Sequence, residues 1–183
     1  MCIIFASDIH GSPDGLRLLW RQAENRHPRQ IVLLGDLLYH GPRNALPNDY
    51  STQMTAELLN QRAGEIVAVR GNCDAEVDQM MLHFPMMADY AVLLLDQFRF
   101  YLCHGHHTSP DNPPPIGAAD VLATGHTHIP SLRWLNSLVC FNPGSLSLPK
   151  GGYPPSFGIY EDGRLAILNL HTLATIAELR LTK

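Results

Sequence analysis

The stretch Cys2-Ile3-Ile4-Phe5-Ala6-Ser7-Asp8-Ile9-His10 decides the fold, because a short apolar run ends directly on residues that can bind a metal ion. Four other apolar runs of the chain end in the same way, at Gly35-Asp36, Gly71-Asn72, Cys103-His104 and Gly125-His126. The carboxyl ends of neighbouring strands in an α/β protein meet at one edge of the sheet, where ligands bind. Five polar residues that are scattered along the sequence can therefore form one site.

Two of the run ends carry a second ligand-type residue two positions further on. His10 follows Asp8, and His128 follows His126. In an extended chain alternate side chains share a face, so we expect the members of each pair to point the same way. The candidate metal ligands are then seven residues: Asp8, His10, Asp36, Asn72, His104, His126 and His128.

The bulk composition is that of one globular domain. The chain has 183 residues, of which 45% are hydrophobic and 16% are charged. This length allows roughly 70% of the unfolded surface to be buried. We therefore expect a single domain over residues 1–183 with no cap domain. The net charge of -4 gives no basic surface for an extended nucleic-acid backbone, although a small phosphate ester is compatible with it.

Four widely spaced cysteines form no Cys-x-x-Cys pair, which favours reduced thiols in a reducing compartment. The apolar start of the chain is too short and lacks the basic residues of a signal peptide. No apolar run approaches the length of a membrane span. We therefore expect a cytoplasmic protein without a membrane partner.

The order of apolar runs predicts an α/β fold. Strand-length runs alternate with helical periodicity over residues 14–24 and 52–62, which is typical of βαβ units with a parallel sheet. After about residue 88 the runs are separated by short turns, of which Asp162-Gly163 is the strongest hairpin signal. We predict two mixed β-sheets of roughly ten strands in all, packed as a sandwich and flanked by helices. Strands are expected over residues 2–7, 31–34, 66–69, 90–95, 98–103, 121–124, 132–135, 138–141, 157–160, 165–170 and 174–181.

The candidate ligands form a mixed oxygen and nitrogen donor set without thiolate, which suits Mn²⁺, Fe or Zn²⁺. A carboxylate such as Asp36 can bridge two ions, and a water held between two cations becomes a hydroxide nucleophile near neutral pH. The competing interpretation of each residue alone is a helix cap or a turn. The recurrence of the pattern at five run ends favours the metal site.

In this order, Asp8-x-His10, Gly35-Asp36, Gly71-Asn72, His104 and Gly125-His126-x-His128 resemble the motifs of calcineurin-like metallophosphoesterases. The resemblance implies two divalent metal ions as cofactors, with Mn²⁺ ahead of Zn²⁺, Fe and Ni²⁺. It implies one metal ion on Asp8, His10, Asp36 and His128, and the other on Asp36, Asn72, His104 and His126. In the family, the Asn72 position also orients the phosphate, and a metal-bridging hydroxide attacks phosphorus in line.

One position departs from the pattern of many members. They carry a histidine after the asparagine, and that histidine protonates the leaving group, whereas this chain has Cys73 after Asn72. A thiol is a poor acid for this step. The proton source is then His106, a metal-bound water, or a leaving group that needs little protonation. We expect His106 to contact the phosphate or the leaving oxygen.

Arg43 is a further candidate for contact with the phosphate, with an exposed structural arginine as the equal alternative. We expect the loops over 37–49 and 105–119 to set the substrate preference. The first functional hypothesis is a phosphodiesterase that acts on a small phosphate ester. A phosphomonoesterase on the same site, a non-catalytic protein-interaction scaffold of the same fold, and a metal store are the alternatives. The natural substrate and self-association into a homo-oligomer are left open.

Overall fold

The computed structural model describes residues 1–114 and 121–182, and these residues form eleven strands and three α-helices. Part of the loop that we expected to shape substrate preference, over residues 105–119, lies outside the described residues. The strands are β1 Cys2–Ala6, β2 Gln30–Leu33, β3 Ile66–Ala68, β4 Tyr90–Leu95, β5 Phe98–Cys103, β6 Val121–Ala123, β7 Ser131–Leu135, β8 Leu138–Asn142, β9 Ser156–Glu161, β10 Arg164–Asn169 and β11 Thr175–Arg180. The helices are α1 Pro13–Arg26, α2 Thr52–Asn60 and α3 Glu76–Met81.

The strands form two mixed sheets. The six-stranded sheet has the order β11-β10-β9-β1-β2-β3, and the five-stranded sheet has the order β4-β5-β6-β8-β7. Strands β1, β2 and β3 are parallel to one another, as are β5, β6 and β8, while the remaining pairs are antiparallel. The predicted fold class is confirmed.

The described residues form two hydrophobic clusters, and successive side chains of β1 point into one and then the other. Ile4 belongs to a buried cluster that includes the α1 residues Leu16 and Leu19, whereas Phe5 belongs to a cluster that includes residues of both sheets. The Phe5 ring lies 5.7 Å from the ring of Phe100 in β5, measured between centroids. Full burial of such a side chain contributes about 1.5–3 kcal/mol. This packing fixes the two sheets relative to each other, and with them the strand ends that carry the site.

The long helix α1 agrees with the prediction, whereas the shorter helices α2 and α3 differ from it. Helix α1 begins after Ser12, whose hydroxyl accepts a hydrogen bond from the Gly15 amide, and it ends before His27, which has a left-handed backbone. Helix α2 ends two residues earlier than predicted, and a 3₁₀ turn over Ala63–Glu65 follows it. Helix α3 was not predicted, because six residues are too few to show a helical period.

The predicted hairpin turns have the backbone that tight turns require. Asp96, Asn136 and Asp162 each begin a turn between antiparallel neighbours and have φ angles of 53°, 54° and 48°. Asn and Asp tolerate this conformation better than most residues do. In the part of the chain that the structure describes, no helix is long and apolar enough to cross a membrane.

Candidate metal centre

The predicted ligands lie just beyond the carboxyl ends of the parallel strands, but their backbone is not extended as we expected. Strand β1 ends at Ala6 and β6 ends at Ala123, so both ligand pairs are outside the strands. Asp8, His10, Asp36, His126 and His128 have φ angles between 48° and 66°. The argument from alternating strand faces is therefore wrong for both pairs.

A left-handed backbone costs a residue other than glycine about 1–2 kcal/mol. Five such residues at one place indicate that the surrounding contacts hold the turns in this shape, which is common at functional sites. Some of these contacts are visible at Asp8. Its backbone amide donates to the Gly35 carbonyl at 3.1 Å, and its carbonyl accepts a hydrogen bond from the Ser145 hydroxyl at 2.7 Å.

Asp8, His10 and His128 form the first close group of donor atoms. The Nε2 atoms of His10 and His128 are 3.2 Å apart. Asp8 Oδ1 lies 3.2 Å from the His128 Nε2 atom and 3.6 Å from the His10 Nε2 atom. All three side chains are buried. Asp8 Oδ1 accepts no hydrogen bond within the described residues.

Asp36, Asn72 and His104 form the second group. The His104 Nε2 atom lies 3.1 Å from Asn72 Oδ1 and 3.4 Å from Asp36 Oδ2. Asp36 Oδ2 also lies 3.7 Å from the His10 Nε2 atom, so Asp36 faces both groups. Its other oxygen, Oδ1, accepts a hydrogen bond from the Cys73 amide at 2.8 Å, which fixes the orientation of the carboxylate.

Backbone carbonyls select the tautomer of three of the histidines. The Nδ1 atoms of His10, His104 and His128 lie 2.8, 2.6 and 2.6 Å from the carbonyl oxygens of Tyr39, Leu34 and Leu148, respectively. A carbonyl can only accept, so each Nδ1 atom carries a hydrogen, and each ring in its neutral form directs its Nε2 lone pair into the site. Histidines that bind metal ions are typically held in this way.

The two groups therefore bring acceptor atoms together, and this arrangement fits metal ions. Nitrogen lone pairs and carboxylate oxygens that face each other at 3.1–3.7 Å repel unless positive charge lies between them. The pKa values also indicate that the site favours positive charge. Burial would raise the pKa of Asp8, but His10 and His128 outweigh it and hold the pKa well below its usual range. Burial would lower the pKa of His104, but Asp36 and Asp8 raise it to about 9.

His126 lies beside these groups rather than within them. Its ring centroid is 5.1 Å from that of His104, and its backbone amide donates to Asp8 Oδ2 at 2.9 Å. Burial and the neighbouring His104 lower its pKa, which keeps the imidazole neutral and able to bind a metal ion. Cys73 has its sulfur within 4.8 Å of ligand atoms of His10 and Asp36. Burial and then Asp36 raise the pKa of this thiol to about 12, so it is a weak metal ligand.

His106 lies next to the second group. Its ring centroid is 5.4 Å from that of His104, and the two residues line a cavity of about 220 Å³ together with Tyr90 and Tyr101. The buried His106 Nδ1 atom makes no hydrogen bond to the described residues. Burial, followed by the charges of His104 and His107, lowers the pKa of His106 to about 4. The ring is therefore a neutral N–H donor near pH 7.

A larger cavity of about 630 Å³ opens onto the donor groups. Asp36, Asn72, His126 and His128 line it together with residues of the loop after β2. Arg43 also lines this cavity and is exposed, which places a guanidinium beside the predicted ligands. The space beside the donor groups is large enough for a small ester.

Lys150 is a second exposed cation in the wall of the larger cavity, and we did not predict it. In the sequence, Lys150 stands directly before Gly151 and Gly152, which could have indicated a phosphate contact. The spacing is not that of a phosphate-binding loop, so Lys150 was not counted among the candidates. The Lys150 amide donates to the His128 carbonyl at 3.1 Å. This backbone contact ties the loop to the metal ligands.

Asp74 is a buried residue that holds two of the ligand loops together, and the sequence did not reveal it. Its carboxylate accepts hydrogen bonds from the backbone amides of Asp36, Leu37 and Gly71 at 2.7–2.8 Å. Burial raises its pKa to about 6, although the amides of Leu37 and Gly71 oppose this change. Asn142 has a similar role near His126, because its side-chain amide donates to the Gly125 carbonyl at 2.6 Å.

The fold and the donor groups together identify the class of protein. A model of the calcineurin-like phosphoesterase superfamily domain matches residues 1–162. The chain therefore belongs to the calcineurin-like phosphoesterase superfamily. The predicted class of enzyme, a metal-dependent phosphoesterase, is confirmed.

Among individual proteins, the chain is similar to phosphodiesterase YfcE of Escherichia coli strain K12, with 45% identity over 178 residues and 97% coverage of each chain. The solved structure of the phosphoesterase YfcE from E. coli superposes with a TM-score of 0.97 at 43% identity, and the match covers 100% of both chains. The probable metallophosphoesterase MG207 of Mycoplasma genitalium is 26% identical, over 81% of this chain and 78% of that protein.

Proposed function

We propose that this protein is a dinuclear metal-dependent phosphodiesterase that hydrolyses a P–O bond of a small phosphodiester. The observation that carries the proposal is the convergence of acceptor atoms from Asp8, His10, His128, Asp36, His104 and Asn72 on one buried place. The similarity to phosphodiesterase YfcE over nearly the whole chain supports the substrate class.

Two divalent cations, with Mn²⁺ first, would supply an acidified water as the in-line nucleophile and would stabilise the charge that develops on the phosphate. Asp36 suits the position between the two ions, because its Oδ2 atom faces both His10 and His104. Asp8, His10 and His128 would hold one ion together with Asp36. Asn72, His104 and His126 would hold the other.

The remaining residues of the site act on the ester itself. Asn72 is exposed and lines the cavity, so its side chain can orient a phosphate oxygen as well as bind metal. Arg43 can contact a phosphate oxygen through its guanidinium. His106 is neutral near pH 7, so we propose that it donates an N–H hydrogen bond to the phosphate or the leaving oxygen. It is not an imidazolium acid in this role.

The similarity to phosphodiesterase YfcE favours a diester over a monoester, and the larger cavity has room for one. A phosphodiester carries a second substituent on phosphorus, and the volume of about 630 Å³ outside the donor groups can hold it. Phosphomonoesterase activity on the same site is the near alternative. A scaffold without catalysis would need none of the buried acceptor atoms that face one another here.

The direct test is metal-dependent hydrolysis. We expect the purified protein to bind about two equivalents of Mn²⁺ per chain and to hydrolyse a bis-aryl phosphodiester faster than an aryl phosphomonoester. Chelation followed by dialysis should abolish both activities, and added Mn²⁺ should restore them. Metal is measured by mass spectrometry of the acid-digested protein, and the phenolate product by absorbance. A faster reaction with the monoester would favour the alternative, and no metal-dependent reaction would contradict the proposal.

A second prediction separates His106 from the metal ligands. We expect His106→Ala to lower kcat for a bis-aryl phosphodiester about 10²-fold, because one donor to the reacting group is lost, while the bound Mn²⁺ stays at the wild-type level. His171→Ala is the matched control, since His171 is an exposed histidine that lines neither cavity. Unchanged kinetics in His106→Ala would contradict the role, and lost metal would place His106 among the ligands.

A further inference from the structure

Lys150 is a positive charge in the wall of the larger cavity that the proposed reaction does not use. The chain has only two lysines, at positions 150 and 183, and its net charge is -4. Among the described residues that line this cavity, Asp36 alone is acidic, and it belongs to the metal centre. In the same part of the chain, no carboxylate forms an ion pair with the Lys150 amine. The charge of Lys150 is therefore available to a ligand.

The backbone holds Lys150 next to the metal centre. The residue lies in the loop between β8 and β9, and its amide donates to the carbonyl of the metal ligand His128 at 3.1 Å. Its own carbonyl accepts a hydrogen bond from the Tyr153 amide at 3.3 Å. This bond closes a turn over Gly151 and Gly152, whose φ angles of 66° and 76° suit glycine. The Lys150 side chain therefore lines the cavity from a backbone position that is fixed beside His128.

The two cavities of the site can hold the two ends of a diester. The smaller cavity is lined by His104 and His106, neither of which lines the larger one. The larger cavity is lined by Arg43, His128 and Lys150, none of which lines the smaller one. His106 is proposed above to donate to the phosphate or the leaving oxygen. A leaving group on the His106 side places the other substituent, which stays on phosphorus, in the larger cavity with Lys150.

We propose that Lys150 binds a phosphate monoester group on the substituent that stays on phosphorus. This inference rests on the proposed function, because it assigns one end of the diester to the larger cavity. The diester itself carries one negative charge, which the metal ions and Arg43 attract. A second phosphate would give the Lys150 amine a partner of opposite charge, and the volume of about 630 Å³ has room for it.

The chemistry of the cavity wall suits a phosphate. The lysine amine is a compact charge with three N–H donors, and lysine commonly binds phosphate as a point charge. Thr127 is exposed in the same wall and precedes His128, to which the Lys150 amide is hydrogen-bonded. Its hydroxyl adds a neutral donor for an anionic oxygen. The preferred substrate is then a small diester that carries a further phosphate, rather than a diester with two neutral substituents.

Two diesters that differ by one phosphate test this assignment. Thymidine 5′-(4-nitrophenyl phosphate) and its 3′-phosphorylated form share a leaving group, and the released nitrophenolate is followed by absorbance with excess Mn²⁺. We expect kcat/KM of the wild type to be about tenfold higher for the phosphorylated diester, because a charge-assisted contact is gained. Lys150→Met should remove most of this preference. Arg21→Met is the matched control and should keep it, since Arg21 is an exposed cation that lines neither cavity.

The outcomes separate this inference from the proposed function. If the wild type hydrolyses both diesters equally, or if the preference survives in Lys150→Met, the role of Lys150 is wrong and the phosphodiesterase stands. If neither diester is hydrolysed, the proposed function is contradicted. Calorimetry with Mn²⁺ present tests Lys150 without catalysis. Thymidine 3′,5′-bisphosphate should bind the wild type about tenfold more tightly than thymidine 5′-phosphate does, and Lys150→Met should lose this difference. Equal affinities of the wild type for the two nucleotides would overturn the assignment.

Discussion

Replacing Asp36 with asparagine is expected to lower kcat/KM for a bis-aryl phosphodiester about a thousandfold or more. The substitution removes a carboxylate that faces both donor groups, at 3.4 Å from the His104 Nε2 atom and 3.7 Å from the His10 Nε2 atom. Loss of about 4 kcal/mol of charge stabilisation in the transition state corresponds to a rate loss of about 10³. Initial rates are measured with excess Mn²⁺, so that weakened metal binding alone does not limit the reaction.

The fold should survive this substitution. Burial and the like charge of Asp8 oppose ionisation of Asp36, but the contact with His104 outweighs them and lowers the pKa of Asp36, so the charged carboxylate contributes to stability. We therefore expect Asp36→Asn without metal to remain folded, with a thermal unfolding midpoint at pH 7 that is a few degrees below that of the wild type, because the contact with His104 is lost. Asp14→Asn is the matched control, since its side chain is 68% exposed on α1. Equal activity of Asp36→Asn and wild type would instead favour a non-catalytic scaffold.

The sequence predicted the sheets well because strand formation here depends on local apolar runs. The runs around Ile4 and Ile31 are buried and the run around Ile66 is partly buried, and each is bounded by turn residues, so their lengths could be estimated to within a residue or two. Residues that follow such runs necessarily meet at one edge once the parallel order β1-β2-β3 forms. That is why the candidate ligands could be named before their geometry was available.

The conformation of the ligand loops could not be predicted in this way. Left-handed φ angles at Asp8, His10 and His128 depend on contacts with residues that are distant in sequence, such as the hydrogen bond between Ser145 and the Asp8 carbonyl. The role of Asp74 likewise exists only after β2 and β3 have paired and placed three amides around its carboxylate. No local periodicity encodes such contacts.

Gly71 shows how these distant contacts constrain the site, and it gives the second large expected effect. A Cβ atom at this position would overlap the Asp36 backbone nitrogen and Oδ1 atom and would lie 2.8 Å from its Cγ atom. The Gly71 amide also donates to Asp74 at 2.7 Å, so the loop cannot move away without losing that hydrogen bond. The absence of a side chain at Gly71 is therefore what allows the loops after β2 and β3 to approach each other.

We expect Gly71→Ala to destabilise the fold by about 1–3 kcal/mol, because an added methyl group must displace backbone and carboxylate atoms. We also expect it to lower the affinity for Mn²⁺ about 10–100-fold, since the orientation of Asp36 is disturbed. Gly64→Ala is the matched control, because a Cβ at Gly64 meets no atom within 4 Å. Urea unfolding without metal and Mn²⁺ titration of the folded protein measure the two effects separately. Equal values for the two variants would mean that the loops adapt freely, and that the approach of Gly71 to Asp36 does not shape the site.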